Sequence, residues 1–90
     1  MAAIIASGTA AASSSDIVLA EGDAATLGLF AAGPDIPGSA VAYIERKASN
    51  GQYIRQYTLS QNEPSRVLQA VGTWRVSRPL SLVAFGVDQD

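Results

Sequence analysis

Few side chains of this 90-residue sequence have the chemistry of a catalytic or metal site. Histidine and cysteine are both missing, and these residues supply the most common general bases, thiol nucleophiles and soft metal ligands. Glu21 and Asp23 flank a glycine and offer oxygen atoms to Ca²⁺, but this ion takes about six to eight oxygen ligands. We interpret the pair as a solvated turn. The sequence therefore predicts a protein that is not an enzyme and that binds no metal or cofactor.

Charged side chains are distributed unevenly, although the net charge is only -2. Residues 1–45 hold five acidic side chains and no cation, whereas all six basic side chains lie between Arg46 and Arg78. Three interpretations of the basic half remain open: a nucleic-acid face, an ordinary solvated strand face, and a surface that meets an acidic partner or the acidic half of a neighbouring copy. The negative net charge opposes the first, so we expect no nucleic-acid partner. The arginines taken as interface candidates are Arg55, Arg66, Arg75 and Arg78.

Hydrophobic patterning indicates strands as the elements that position these side chains. Short β-branched or aromatic runs recur between Gly, Pro, Asn and Ser, and no period of 3.6 residues persists along the chain. Residues 16–90 are therefore predicted to form an all-β domain, a single small antiparallel β-sandwich of about seven short strands. The chain is long enough for one such domain only.

A hairpin gives the strongest local signal. In VAYIERKASNGQYIRQYTLS, residues 41–60, Asn50-Gly51 is typical of a type I′ turn between two β-rich arms. Strict alternation in the second arm places Tyr53, Arg55, Tyr57 and Leu59 on one face.

Trp74 is the predicted core anchor. In GTWRVSRP, residues 72–79, a strand after the glycine turn directs Trp74 and Val76 into the core and Arg75 outward. Arg78 falls at the end of this strand, just before a proline, and is left free for contacts. Residues 81–87 are predicted to form the last strand.

The N-terminal segment, residues 1–15, is rich in Ala and Ser and holds only Ile4 and Ile5 as large apolar side chains. We expect a flexible arm that adds a strand to the sheet edge of a neighbouring molecule, which makes both isoleucines interface candidates. A weak first strand is the alternative. The segment has no basic residue and too short an apolar run for a signal peptide, and no stretch approaches the roughly 18 apolar residues of a membrane helix. We expect no membrane partner.

Residues 20–87 resemble small virion proteins of tailed bacteriophages, among them capsid decoration or cement proteins. The resemblance rests on LAEGDAATLGLF, on the hairpin sequence VAYIERKASNGQYIRQYTLS, and on QAVGTWRVSRP followed by FGV. Trp74 stands where tyrosine is commoner in such proteins.

The resemblance implies an immunoglobulin-like β fold in a structural protein that binds and stabilises an assembled capsid. Its partners would be the major capsid protein and neighbouring copies of itself, and its location the virion, assembled in the host cytoplasm. Two alternatives remain open. One is a host-surface or glycan-recognition module with Tyr43, Tyr53 and Tyr57 exposed in a concave site, and the other is a head-tail connector or tail structural protein.

Overall fold

The protein is an all-β sandwich of two antiparallel sheets, as the sequence predicts. The computed structural model describes residues 2–90, which contain nine strands. They are β1 (Ala2–Gly8), β2 (Ala12–Ser13), β3 (Ile17–Leu19), β4 (Ala25–Phe30), β5 (Ala42–Lys47), β6 (Tyr53–Leu59), β7 (Ser65–Leu68), β8 (Gly72–Arg78) and β9 (Phe85–Gln89). The strand count exceeds the predicted seven because residues 2–15 contribute β1 and β2.

The chain passes repeatedly between the sheets. One sheet has four strands in the order β1-β9-β4-β7. The other has five, in the order β2-β8-β5-β6, and β3 pairs with β8 beside β2. The turn at Glu21 to Asp23 is therefore a corner that takes the chain from β3 in the five-stranded sheet to β4 in the four-stranded sheet, rather than a hairpin.

The core lies between the two sheets. Trp74 is only 2% exposed, which confirms its prediction as an anchor, and its indole Nε1 donates a hydrogen bond to the carbonyl oxygen of Ala70 at 3.1 Å. Six other large apolar side chains of the core are completely buried, and each contributes about 1.5 to 3 kcal/mol by leaving water. They are Leu27, Ile44, Leu59, Val76, Phe85 and Val87.

The predicted hairpin forms between β5 and β6, but its turn differs from the expectation. Gly51 has a φ of 88°, whereas no non-glycine residue among those described has a positive φ, so the turn is not type I′. The backbone N–H of Gly51 donates to the carbonyl of Ala48 at 2.9 Å, and Ala48 donates to Gln52 at 2.7 Å. This is the pattern of a three-residue loop that ends in a glycine bulge.

A β-bulge interrupts the alternation predicted along β6. Ile44 faces Tyr57 across the β5–β6 pair, but the next residue, Glu45, faces Arg55. The register shift reverses the parity of β6. Tyr57 therefore turns toward the core with Leu59, while Arg55 and Tyr53 turn to the outer face.

The N-terminal segment is a strand rather than a flexible arm. Residues 2–8 pair with β9 along the edge of the four-stranded sheet, and Ile5 is only 3% exposed in the core. Gly86 of β9 makes this pairing possible, since a Cβ at that position would lie 2.5 Å from the carbonyl oxygen of Ile5. Residues 2–15 thus belong to the sandwich, and the proposed boundary between residues 15 and 16 does not exist; Met1 lies outside the described residues.

The last strand begins later than predicted. Residues 79–84 form a loop and β9 runs from Phe85 to Gln89. Leu82, which the alternation placed inside a strand, is 97% exposed.

Candidate interaction surfaces

Two surfaces of the described chain have the composition of binding sites. The first is the outer face of β5, β6 and β8, called here the aromatic-cation face. A row of hydroxyl-bearing side chains crosses it, because Tyr43 pairs with Ser77 on one side and with Thr58 on the other, and Ser77 pairs with Ser13.

A row of charges lies beside the hydroxyl row. Glu45 of β5 stands between Arg75 of β8 and Arg55 of β6 in the strand register. The Nε atom of Arg75 donates to Glu45 Oε1 at 2.7 Å. Arg55 is exposed and makes no ion pair with any of residues 2–90, so this row carries an excess positive charge.

Guanidinium groups cover the tyrosine rings of this face. The guanidinium carbon of Arg55 lies 3.5 Å from the ring centre of Tyr43, and that of Arg75 lies 3.8 Å from the ring centre of Tyr53. The ammonium group of Lys47 is 6.0 Å from the ring centre of Tyr53. Each stack restricts two side chains and is worth about 0.5 to 1 kcal/mol at an exposed site. The face is therefore partly ordered before any partner binds.

Tyr53 also connects this face to the start of β3. Its hydroxyl group donates a hydrogen bond to the carboxylate of Asp16. This hydrogen bond is the main cause that raises the pKa of Tyr53 above its ordinary value. The phenol therefore remains a donor throughout the physiological pH range.

Arg66 lies away from the face. It forms an ion pair with Glu63, and its guanidinium carbon lies 3.6 Å from the ring centre of Tyr57. Tyr57 in turn stacks on Trp74, with ring centres 6.2 Å apart and planes inclined by 11°. Arg66 thus covers the side of the core between β6 and β7, and the arginines predicted as one interface do not form a single surface.

The prediction that Arg78 is free for contacts is wrong. The side chain is buried, with only 6% of its surface exposed. Nε donates to the carbonyl oxygen of Ala10 at 2.9 Å, and Nη1 donates to those of Ala6 at 2.7 Å and Phe85 at 2.6 Å. These hydrogen bonds hold the end of β1, the loop after it and the start of β9 together. Arg78 is a structural support and not an exposed contact.

The two isoleucines are also used inside the fold. Ile5 is a core residue, and Ile4 is half-buried against the same cluster. Neither is presented as an exposed anchor for a neighbouring molecule.

The second surface is formed by the loops on either side of the backbone groups that Arg78 binds, and sequence patterning missed it. The loop of residues 79–84 meets the loop after β1, where the Ser81 N–H donates to the carbonyl of Thr9 at 2.8 Å. Leu80 is 80% exposed and Leu82 is 97% exposed. Residues 2–15 and 79–87 contain no charged side chain. We call this uncharged end of the sandwich, residues 8–11 and 79–84, the leucine tip. Its sequence signal was the charge-free run of residues 79–87, in which Leu80 and Leu82 follow Pro79; the alternation assigned residues 81–87 to a strand instead.

Of the two carboxylates considered for calcium, that of Asp23 is used within its own turn. Asp23 Oδ2 accepts a hydrogen bond from the backbone N–H of Ala20 at 2.9 Å. Within residues 2–90, no three acidic, histidine or cysteine side chains are grouped closely enough to hold a metal ion. The described part of the chain also has no helix that is long and apolar enough to cross a membrane.

Comparison with known proteins provides no relative. The chain matches no family model, no curated protein and no solved structure. The aromatic-cation face and the leucine tip are therefore the basis for a functional proposal.

Proposed function

We propose that this protein is a non-enzymatic decoration protein that binds an assembled bacteriophage capsid by inserting its leucine tip into an apolar depression of the shell. The observation that carries the proposal is the exposure of Leu80 and Leu82 on an ordered, uncharged loop. Large apolar side chains grouped at one end of a soluble domain are a mark of an interaction site.

Hydrogen bonds order the loop of the leucine tip, as expected for a binding element rather than for a flexible connection between strands. Arg78 fixes both flanks of the tip through the carbonyl groups of Ala6, Ala10 and Phe85. Within the loop, Val83 N–H donates to Ser81 Oγ at 3.2 Å. A pre-ordered loop loses less conformational entropy when it binds, so more of the apolar burial appears as affinity.

The chemistry of the tip favours a protein partner over a lipid surface. Peripheral proteins reach anionic membranes through basic residues near the inserted apolar side chains. The adjoining sequence supplies no such residue and Arg78 is buried. The exposed Arg55 lines a depression with Ala11 and Pro79 of the tip, but one cation is not the basic cluster that membrane binding uses. An uncharged tip fits an uncharged protein pocket.

The resemblance of residues 20–87 to phage virion proteins is the reason for proposing a capsid as that partner. A protein that binds only the assembled shell stabilises it by mass action. Glycan recognition has less support, because arginine already covers one face of the Tyr43 ring and of the Tyr53 ring, where a sugar would stack.

Co-sedimentation with capsids that lack this protein tests the proposal. The variant Leu80→Ser/Leu82→Ser should bind shells at least about thirtyfold more weakly, since burying one leucine is worth about 2 kcal/mol. Val71→Ser is the matched control, because Val71 is 52% exposed elsewhere in the chain. Occupancy in the hundreds per particle supports decoration, whereas about six to twelve copies would identify a connector.

Wild-type protein that fails to bind shells would contradict the function. Equal binding by the leucine variant and the wild type would exclude the tip as the contact. Binding to neutral phosphatidylcholine vesicles but not to shells would show that the partner of the leucine tip is a membrane and not a capsid.

A further inference from the structure

A cleft lies on the outer face of the four-stranded sheet, opposite to the aromatic-cation face. It encloses about 470 Å³. Gly28 lies in it, and Pro34, Ile36 and Pro64 line it as apolar walls. Asp88 and Asp90 also line it. Side chains two residues apart in an extended chain point to the same face of the sheet, so both carboxylates lie on this outer face.

The charged side chains identified on this outer face are negative. Asp88 is the only charged residue in β1, β4 and β9. The one cation of β7, Arg66, is directed to Glu63 and Tyr57. The carboxylates of Asp88 and Asp90 form no ion pair with any residue that the structure describes.

The aromatic-cation face has the opposite character. Lys47 and Arg55 are exposed there and, among residues 2–90, neither forms an ion pair. The two sheets pack back to back, so their outer faces point in opposite directions. One copy therefore presents unpaired cations on one side and unpaired carboxylates on the other.

We infer that a second copy of this chain docks on the cleft, with Arg55 and Lys47 of one copy meeting Asp88 and Asp90 of the next. Arginine suits this cleft because its aliphatic stem packs against proline while its guanidinium pairs with carboxylates. The contact is head-to-tail, so a pair of copies still has one free cation face and one free cleft. Such a contact produces rings or longer stacks rather than a closed two-fold dimer.

This inference goes beyond the proposed function, because it uses neither Leu80 nor Leu82 and requires no capsid. On a shell, it would join decoration proteins laterally. The attraction acts between exposed charges, so association should weaken as the salt concentration rises.

Sedimentation velocity at low salt, with wild-type protein at up to about 1 mM, tests the contact. We expect the wild type to associate and Lys47→Gln/Arg55→Gln to associate at least about tenfold more weakly. Asp88→Asn/Asp90→Asn should show the same loss. An equimolar mixture of the two variants should form heterodimers and stop there, because each variant retains the face that the other has lost.

A variant that changes no charge tests the cleft separately. Gly28→Val should fill the cleft and reduce association, while Gly28→Ala is the control, since its Cβ would make an ordinary 3.7 Å contact with Ser65. Native Trp74 fluorescence in every variant confirms that the sandwich is intact.

A wild-type protein that stays monomeric at all concentrations would overturn the inference. So would undiminished association of either charge variant alone, or a mixture that fails to form heterodimers. Shell binding by the leucine tip is measured on the weakly associating Lys47→Gln/Arg55→Gln variant, so the two proposals fail independently.

Discussion

The Nη1 atom of Arg78 donates a hydrogen bond of 2.6 Å to the carbonyl oxygen of Phe85, seven residues along the chain. The same atom reaches Ala6 in β1, and Nε reaches Ala10. A buried cation of β8 thus joins the five-stranded sheet to the irregular end of the β1–β9 pair in the other sheet. Arg78 therefore both closes this end of the sandwich and holds the leucine tip in position.

Replacing Arg78 should destabilise the fold. Arg78→Met leaves buried carbonyl groups without donors, and we expect a loss of about 3 kcal/mol in the free energy of unfolding. Urea denaturation followed by Trp74 fluorescence measures it. Arg55→Met is the control and should cost less than about 1 kcal/mol, since Arg55 is exposed and loses only its stack on Tyr43. Equal losses for the two variants would contradict the structural role of Arg78.

Trp74 should account for a large part of the stability. Trp74→Ala removes a side chain that is 2% exposed, and we expect a cost of about 3 to 5 kcal/mol. Trp74→Phe keeps most of the volume but loses the hydrogen bond to Ala70, so it should cost less. Thermal unfolding compares the variants. A native emission maximum near that of free tryptophan would show that Trp74 is exposed.

The N-terminal strand should contribute to folding as well. Ile5→Ala is expected to cost about 2 to 4 kcal/mol because it empties part of the core. Ile4→Ala should cost clearly less, since Ile4 is only half-buried. Chemical denaturation of both variants measures the difference. If both changes were nearly neutral, residues 2–8 would not be bound to β9 in solution.

Gly86 should not accept a side chain. In Gly86→Ala the new Cβ would lie 2.4 Å from the Phe30 ring and 2.5 Å from the Ile5 carbonyl oxygen. Overpacking of this kind costs about 1 to 3 kcal/mol. Phe30→Ala added to Gly86→Ala should restore only part of the loss, because the backbone carbonyl remains in place. Differential scanning calorimetry of the single and double variants tests this. Full restoration of the stability in the double variant would show that the new Cβ clashes only with the Phe30 ring.

The ionisation of Tyr53 should depend on Asp16. The raised pKa means that the folded protein holds the phenolic proton more tightly than the unfolded chain does. The stabilisation is complete below the ordinary pKa of tyrosine, about 10, and is lost as pH rises through the raised folded pKa. Asp16→Asn should lower the pKa of Tyr53 toward the ordinary value. Phenolate absorbance, taken as the difference between each protein and its Tyr53→Phe variant, measures the change. An unchanged Tyr53 titration in Asp16→Asn would show that the hydrogen bond to Asp16 does not cause the raised pKa.

Local patterns in the sequence were sufficient for the all-β fold, the β5–β6 hairpin and the burial of Trp74. Alternation and turn residues depend on near neighbours in the chain, and these features are local. The same alternation was wrong in placing Tyr53 and Arg55 on one face with Tyr57 and Leu59, because the register shift between Ile44 and Glu45 changes the parity of β6. A bulge is a property of two paired strands and leaves no clear mark on either one.

The tertiary structure alone decided the roles of Arg78, Ile5 and Leu82. By type, Arg78 should be exposed, but at the irregular end of the β1–β9 pair and in the loop after β1 it donates hydrogen bonds to backbone carbonyl groups. Ile5 enters the core because Gly86 lets β1 approach β9, and Leu82 is exposed because residues 79–84 lie between strands of different sheets. The sequence determined that residues 16–90 form mainly extended segments and that they bury Trp74. Only the packing of the sheets determined which backbone groups lack partners and which side chains remain at the surface, because both depend on contacts between residues distant in the chain.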